Sequence, residues 1–246
     1  MLERNNTIPL YEQLKNLISK DIQSGKYQSE EQIPSERELG ERYNVSRITV
    51  RQAIALAERE GILYRVHGVG TFVAKPKIKQ ELPKMSTFRS TLLKQGLVAS
   101  TELISSEVMT SDFQLSRLLN IDVMDKVYNL QLLGLGDENP IVFYNSYFPY
   151  ETGQLLREAS VESINKGIPF STLDLYQKED SLNPTHVEQT FEAKAAAEQV
   201  SSALNIAQGF PVLCVTSIVY EDKTPLEYKE TYYRGDKYKF FITRDM

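Results

Sequence analysis

The stretch Ile33-Pro34-Ser35-Glu36-Arg37-Glu38-Leu39 is followed by Tyr43-Asn44-Val45-Ser46-Arg47-Ile48-Thr49-Val50-Arg51-Gln52-Ala53, and then by Tyr64-Arg65-Val66-His67-Gly68-Val69-Gly70-Thr71-Phe72-Val73. Ser35 and Glu38 have capping-box spacing, in which each side chain satisfies a backbone donor that a helix start leaves unpaired. Asn44 tolerates positive φ and ends this short helix. Ser46 caps a second helix only two residues later. Helix, tight turn and helix make a helix-turn-helix. Gly61 ends the second helix. Ile62–Val66 and Thr71–Val73 then form a short hairpin whose reversal is flanked by Gly68 and Gly70, a wing.

Working outward, Val50, Ala53, Ile54 and Ala57 share one face of the second helix and predict its packing side. Arg47 and Arg51 lie one turn apart and project together from a neighbouring face. The first residues of a recognition helix reach base edges in the major groove. Arginine there forks onto guanine O6 and N7 or clamps phosphate. Two arginines on an isolated helix are more often a solvated pair; the capped helix before them and the hairpin after them turn the balance towards DNA. The Gly-x-Gly of the wing lacks the Lys-Ser/Thr and following helix of a phosphate loop. As a wing tip it allows close backbone approach to DNA, with Arg65 and His67 placed for phosphate or the minor groove.

Before this region, Pro9 suits a first helical turn, and Leu10, Leu14, Leu17, Ile18 and Ile22 stripe one helical face up to the stop at Gly25. Residues 1–7 are polar and expected to be a mobile arm. From Lys75 to Lys84 the chain holds Pro76, Pro83 and lysines without apolar periodicity, which predicts a linker. Expected boundaries are therefore a winged helix-turn-helix domain over residues 1–75, a linker over 76–84 and a second domain over 85–246.

The net charge of −5 over 246 residues conceals an asymmetry. Residues 1–80 carry 13 Lys and Arg against 10 Asp and Glu, whereas residues 81–246 carry 15 against 23. A basic head on an acidic body fits a DNA partner for the head. No run approaches the roughly 18 apolar residues of a membrane span, and no signal-peptide core is present. The single cysteine, Cys214, excludes an intrachain disulfide and suits a reducing cytoplasm. With His67, His186 and Cys214 alone, a His/Cys zinc site is not expected; no cofactor fingerprint is present, and none is expected.

In the second part, 111–119 and 192–204 are expected as helices. The stretches 126–135, 141–148, 185–191, 212–220, 226–233 and 238–243 are expected as strands, with hairpin connections at Gly136-Asp137-Glu138-Asn139-Pro140 and Glu221-Asp222-Lys223-Thr224-Pro225. An antiparallel sheet carrying helices, an α+β domain, follows.

Pro9-Leu10-Tyr11-x-Gln13-Leu14, Pro34-Ser35-Glu36-Arg37-Glu38-Leu39, Val45-Ser46-Arg47-x-Thr49-Val50-Arg51 and Gly68-x-Gly70-Thr71-Phe72-Val73 resemble the head of GntR-family bacterial transcription regulators. The resemblance implies DNA contacts from Arg37, Ser46, Arg47, Thr49, Arg51, His67 and Gly68, with Ser35 and Gly70 as further candidates. Val69 departs from the pattern, since many relatives have Lys or Arg there. The body resembles the effector-binding UTRA domain of the HutC subgroup, of chorismate-lyase-like fold. The supporting pieces are Ser146-Tyr147-x-Pro149, Gly209-x-Pro211-Val212-Leu213, Pro225-Leu226-Glu227-Tyr228 and Tyr233-Arg234-Gly235-Asp236-x-Tyr238. Together these imply a homodimeric, cytoplasmic repressor. It would be released by a small-molecule effector from a pseudo-palindromic double-stranded operator.

Relatives that sense sugar phosphates use an Arg-x-Arg clamp and a glutamate. Those positions here are Leu132, Gly134 and Tyr144, so the fork for phosphate is absent. Ser171 and Glu227 match ligand-contact positions, and Arg89 stands near the expected pocket mouth. The implied effector is less charged or more apolar than a sugar phosphate, with a wall from Leu132, Tyr144 and Phe170, and with Arg89 meeting one carboxylate. The rival is a lyase-like enzyme, for which Asp174, Glu188 and Glu192 are candidate acids; no nucleophile motif supports it.

Overall fold

The computed structural model describes residues 2, 7–75, 77–81 and 87–243. It divides into two compact units, Met1–Lys77 and Ile78–Met246. The expected arm over 1–7 falls largely outside the described residues, as do Pro76, Pro83 and Lys84 of the expected linker and Met85, where the body was expected to begin.

The first unit contains α1 (Leu10–Gln23), α2 (Glu36–Tyr43), α3 (Arg47–Arg59), β1 (Leu63–Val66) and β2 (Gly70–Val73). The capping box forms: the Glu38 amide donates to Ser35 Oγ at 3.3 Å, and the Ser35 amide donates to Glu38 Oε2 at 2.8 Å. Asn44 ends α2 at φ 52°, and Ser46 Oγ accepts the Thr49 amide at 3.1 Å to start α3. The predicted face of α3, Val50, Ala53, Ile54 and Ala57, is buried against Leu14 and Ile18 of α1 and Leu39 of α2. Leu63 and Val73 pair across the hairpin and seal the same core.

The second unit adds β3 (Ile78–Glu81), α4 (Phe88–Leu93), β4 (Ala99–Thr110), α5 (Phe113–Leu119), β5 (Lys126–Gly136), β6 (Asn139–Pro149), α6 (Tyr150–Asn165), α7 (Thr172–Tyr176), β7 (His186–Ala195), α8 (Glu198–Leu204), β8 (Pro211–Glu221), β9 (Thr224–Arg234) and β10 (Tyr238–Phe241). Its main sheet has six strands in the order β4-β5-β6-β9-β8-β7, each neighbouring pair antiparallel. Period-two alternation sorts the side chains to opposite faces. Leu130, Leu132, Val142 and Tyr144 enter a core with α6 and α7, while Leu133, Leu135 and Phe143 pack with Val200 and Leu204 of α8. The expected α+β class is therefore the observed one.

Three differences from the expected elements have physical causes. Residues 192–204 are not one helix. Glu192–Ala195 complete β7 by pairing with Cys214 through Pro211, and the helix begins only at Glu198; pairing along an apolar neighbour outweighs local helix propensity. The 76–84 stretch, expected to be a linker, contains β3, which runs parallel to β10 from Ile78↔Tyr238 to Glu81↔Phe241. Burial of Ile78 at 2% exposure, not composition, fixes it there. Finally, β4 and α6 escape the sequence pattern because β4 is a mostly exposed edge strand and α6 carries Gly153, packed against Tyr128.

Candidate nucleic-acid interface and ligand cavity

The first unit collects its candidate DNA-contact residues at the start of α3, on α2 and on the wing. Arg47 and Arg51 are exposed, as the spacing predicts, and Ser46 and Thr49 are joined by their hydroxyls at 2.9 Å. Arg51 Nε donates to Glu36 Oε2 at 2.7 Å, and Arg65 lies 3.5 Å from the other oxygen of the same carboxylate. Glu36 thus holds a guanidinium from the recognition helix and one from the wing. Arg37 is paired with Glu41 across one helical turn at 3.6 Å. Exposed pairs of this kind are worth about 0–1 kcal/mol, so they orient the arginines without committing them.

Ser35, Glu36, Arg65, His67, Gly68 and Gly70 border a common groove between the start of α2 and the wing. The Ser35 hydroxyl donates to Glu38 Oε2 at 2.7 Å, so it is engaged in the cap. Gly68 holds φ at 74°, a conformation that disfavours any residue with a Cβ, and turns the wing tip. Val69 beside it is 60% exposed.

The second unit carries a partly open cavity of about 140 Å³, roughly the size that accommodates a benzene-like molecule in an engineered core. Tyr144 and Ser171, two of the candidate effector contacts, line it together with Lys229, Asp174, Tyr233 and Tyr238. Phe88 lines it too and meets Tyr144 edge-on, with ring centroids 6.4 Å apart. Burial pushes the Tyr144 phenol well above its ordinary range, which keeps it a neutral donor.

Beneath the cavity runs a buried polar chain. Lys229 Nζ donates to Thr172 Oγ1 at 2.8 Å, Thr172 donates to Glu227 Oε1 at 2.6 Å, and the ammonium lies 3.4 Å from that carboxylate oxygen. Side-chain exposure is 4% for Lys229 and 0% for Glu227. Burial, with the Glu227 carboxylate second, likewise pushes the Tyr176 phenol upward.

Four expected pocket residues lie elsewhere, and a fifth lies below. Arg89 is exposed and does not line the cavity, because Phe88 takes the inward position on α4. Leu132 is paired with Tyr144 across β5 and β6 but sits wholly in the core. Gly134 cannot open to a ligand either: a Cβ there would meet Val142 Cγ1 at 2.6 Å and Phe88 Cζ at 2.8 Å. Phe170 is core, its carbonyl accepting from Thr101 Oγ1 at 2.9 Å. Glu227 reaches the cavity only through Lys229. Sequence reading missed Lys229, Thr231 and Tyr233, yet all three follow Glu227 at steps of two on β9, and that alternation is the signal that finds them.

Among the described residues no cluster of His, Cys, Asp and Glu could hold a metal ion, and no helix is long and apolar enough to cross a membrane.

Residues 10–73 match bacterial regulatory proteins of the gntR family, and residues 94–239 match the UTRA domain. The chain is 30% identical to the HTH-type transcriptional repressor NagR of Bacillus subtilis, over 97% of this chain and 96% of that protein. It is 26% identical to the mannosyl-D-glycerate transport/metabolism system repressor MngR of Escherichia coli, over 95% of each. Among solved structures, PhnF from Mycobacterium smegmatis superposes with a TM-score of 0.64 at 24% identity, covering 94% of this chain and 99% of that one. YydK from Bacillus subtilis gives 0.54 at 18%, covering 97% and 100%. These two structural likenesses speak to fold.

Proposed function

The chain belongs to the gntR family of bacterial regulatory proteins and carries a UTRA domain, and from that premise we propose that it is a homodimeric repressor whose heads leave a pseudo-palindromic operator when a small metabolite fills the cavity. Its family and relatives are transcription regulators, so the lyase-like alternative is set aside. As a DNA-binding transcriptional repressor it needs a reading surface, and exposed Arg47 on α3, with Arg51 tied through Glu36 to Arg65 of the wing, supplies it. That linked set is the observation that carries the proposal.

Residues 1–75 are assigned to operator binding, and the chain from β3 onward, whose Gln80 lines the cavity, to effector binding and dimerisation. Two heads would then meet half-sites about one helical turn, roughly 10 bp, apart. The effector acts only if it binds one arrangement of the dimer more tightly than the other. The site of action is the cytoplasm, where the buried Cys214 thiol stays reduced.

The effector carries less charge than a sugar phosphate. Among the described residues Lys229 is the cation lining the cavity, and Glu227 and Thr172 already engage it. Aromatic faces with Ser171, Asp174 and Thr231 suit a hydroxylated or partly apolar molecule. MngR is named for a sugar-derivative system, which agrees with a hydroxylated ligand.

Operator selection with the purified protein, followed by binding at several salt concentrations, tests the DNA half. Affinity should fall steeply with salt as phosphate contacts release counterions, and a flat profile would refute it. Thermal shift tests the effector half, since a bound ligand stabilises as RT ln(1 + [L]/Kd). Sugar phosphates that stabilise, where uncharged sugars and hydrophobic acids do not, would overturn the effector class. Sedimentation at micromolar concentration tests the dimer.

A further inference from the structure

Ile48 is 70% exposed at the second position of α3 (Arg47–Arg59), while the core-facing residues Val50, Ala53, Ile54 and Ala57 turn the other way. Helical spacing puts Ile48, Arg51 and Gln52 on one outer face, and all three are exposed. Packing does not account for an isoleucine there. Nor does helix propensity, since a β-branched residue is a poorer choice for a solvated helix position than Gln, Lys or Arg. Arginines outnumber carboxylates around it: Arg47 precedes it, and Arg51 and Arg65 share Glu36, with Arg65 also 3.6 Å from Glu58.

An apolar group inside a cationic face is complementary to a polyanion that offers one apolar group at a fixed place. Duplex DNA is such a partner. Its major groove exposes donors, acceptors and a single kind of apolar group, the C5 methyl of thymine. We propose that Ile48 packs on a thymine methyl in the major groove and so fixes one base of the operator. The assignment rests on the first unit being the operator-binding unit. Val69, 60% exposed at the wing tip, is the natural control, because the wing is assigned to phosphate or the minor groove and the methyl projects only into the major groove.

The test begins by selecting a site from a randomised duplex library with the full-length protein. Each thymine of that site is then replaced in turn by uracil, which lacks only the C5 methyl. Dissociation constants are measured at fixed salt for the wild type, Ile48→Ser and Val69→Ala. At one thymine the wild type should lose about fourfold in affinity, the worth of returning one methyl-sized group to water. Ile48→Ser should bind the thymine and uracil duplexes equally, and Val69→Ala should keep the full loss. Equal melting curves for all three proteins would show that the fold is intact. A wild type indifferent to uracil at every position, a selected site without thymine, or a loss that persists in Ile48→Ser overturns the proposal. Selection of no site at all would instead overturn the operator-binding assignment beneath it.

Discussion

The first unit keeps its chemistry outside and the second keeps it inside. Arg47, Arg51 and His67 stand in solvent, whereas Lys229 and Glu227 are all but sealed from it. The two arrangements answer different demands. A surface that must come on and off a polyanion needs charges whose present partners are cheap to leave, and the exposed Arg51–Glu36 pair at 2.7 Å meets that need. A cavity that must tell one small molecule from another needs polar groups fixed before the ligand arrives, which burial and hydrogen bonding provide.

The contrast breaks most readily at Lys229. Lys229→Met should leave the Glu227 carboxylate buried without its cation and cost about 3–5 kcal/mol, read as a lower urea midpoint. Lys229→Met with Glu227→Leu should recover most of that loss, because a well-packed apolar pair tolerates burial better than half an ion pair. If the single variant unfolds at the wild-type midpoint, the buried chain does not hold the second unit together.

Gly134→Ala sharpens the same side of the contrast. The new Cβ, 2.6 Å from Val142 Cγ1 and 2.8 Å from Phe88 Cζ, should cost about 1–3 kcal/mol through overpacking. Unchanged stability would mean that the core beside the cavity yields easily.

On the outer side the loss should fall on binding alone. Arg47→Ala and Arg51→Ala should each weaken operator affinity by about 1–3 kcal/mol where the residue reads a base, with no change in melting temperature. Gel shifts showing wild-type affinity for both variants would move the reading surface elsewhere.

The smallest effect belongs to the α2 cap. Ser35→Ala should cost about 1 kcal/mol in thermal unfolding. The Ser35 hydroxyl, then its backbone amide, draw the Glu38 carboxyl below its usual range. A depressed carboxylate stabilises the fold above its unfolded pKa and loses that contribution as pH falls through the lower folded value. A melting series in acid should therefore show a drop below the ordinary carboxylate range that is reduced in Glu38→Gln.

The two sites were unequally legible for the same physical reason. The candidate DNA-contact set lies in one contiguous stretch, where caps, a turn and helical spacing are local rules. Ser35, Asn44 and Ser46 announce their roles within a few residues. The cavity draws on β3, α4, β6, α7, β7, β8, β9 and β10, so no local pattern encloses it. Tyr144 and Ser171 could be found through likeness to relatives. Lys229 shares the face of Glu227 by alternation on β9, but its place between Ser146 of β6 and Ser217 of β8 is set by a register that no local pattern gives. Arg89 stands exposed beside the lining residues Thr87 and Phe88, and a helix as short as Phe88–Leu93 gives too few turns to tell its inner face from its outer by sequence.

The parallel ladder of β3 and β10 carries a consequence for the order in which the second unit assembles. Tyr238 donates a hydrogen bond to Gln80 across a sequence separation of 158 residues, and only four residue pairs form the ladder. Closing so long a loop for so few contacts places the ladder late in folding. Its shortness would favour opening by local fluctuation without global unfolding, against the burial of Ile78 and Tyr238 that holds it. Since Gln80, Tyr238 and Phe240 all line the cavity, such an opening would widen the candidate ligand cavity while the six-stranded sheet stays paired. Amide exchange at 79–81 running ahead of that in β5 and β6 would record the door ajar.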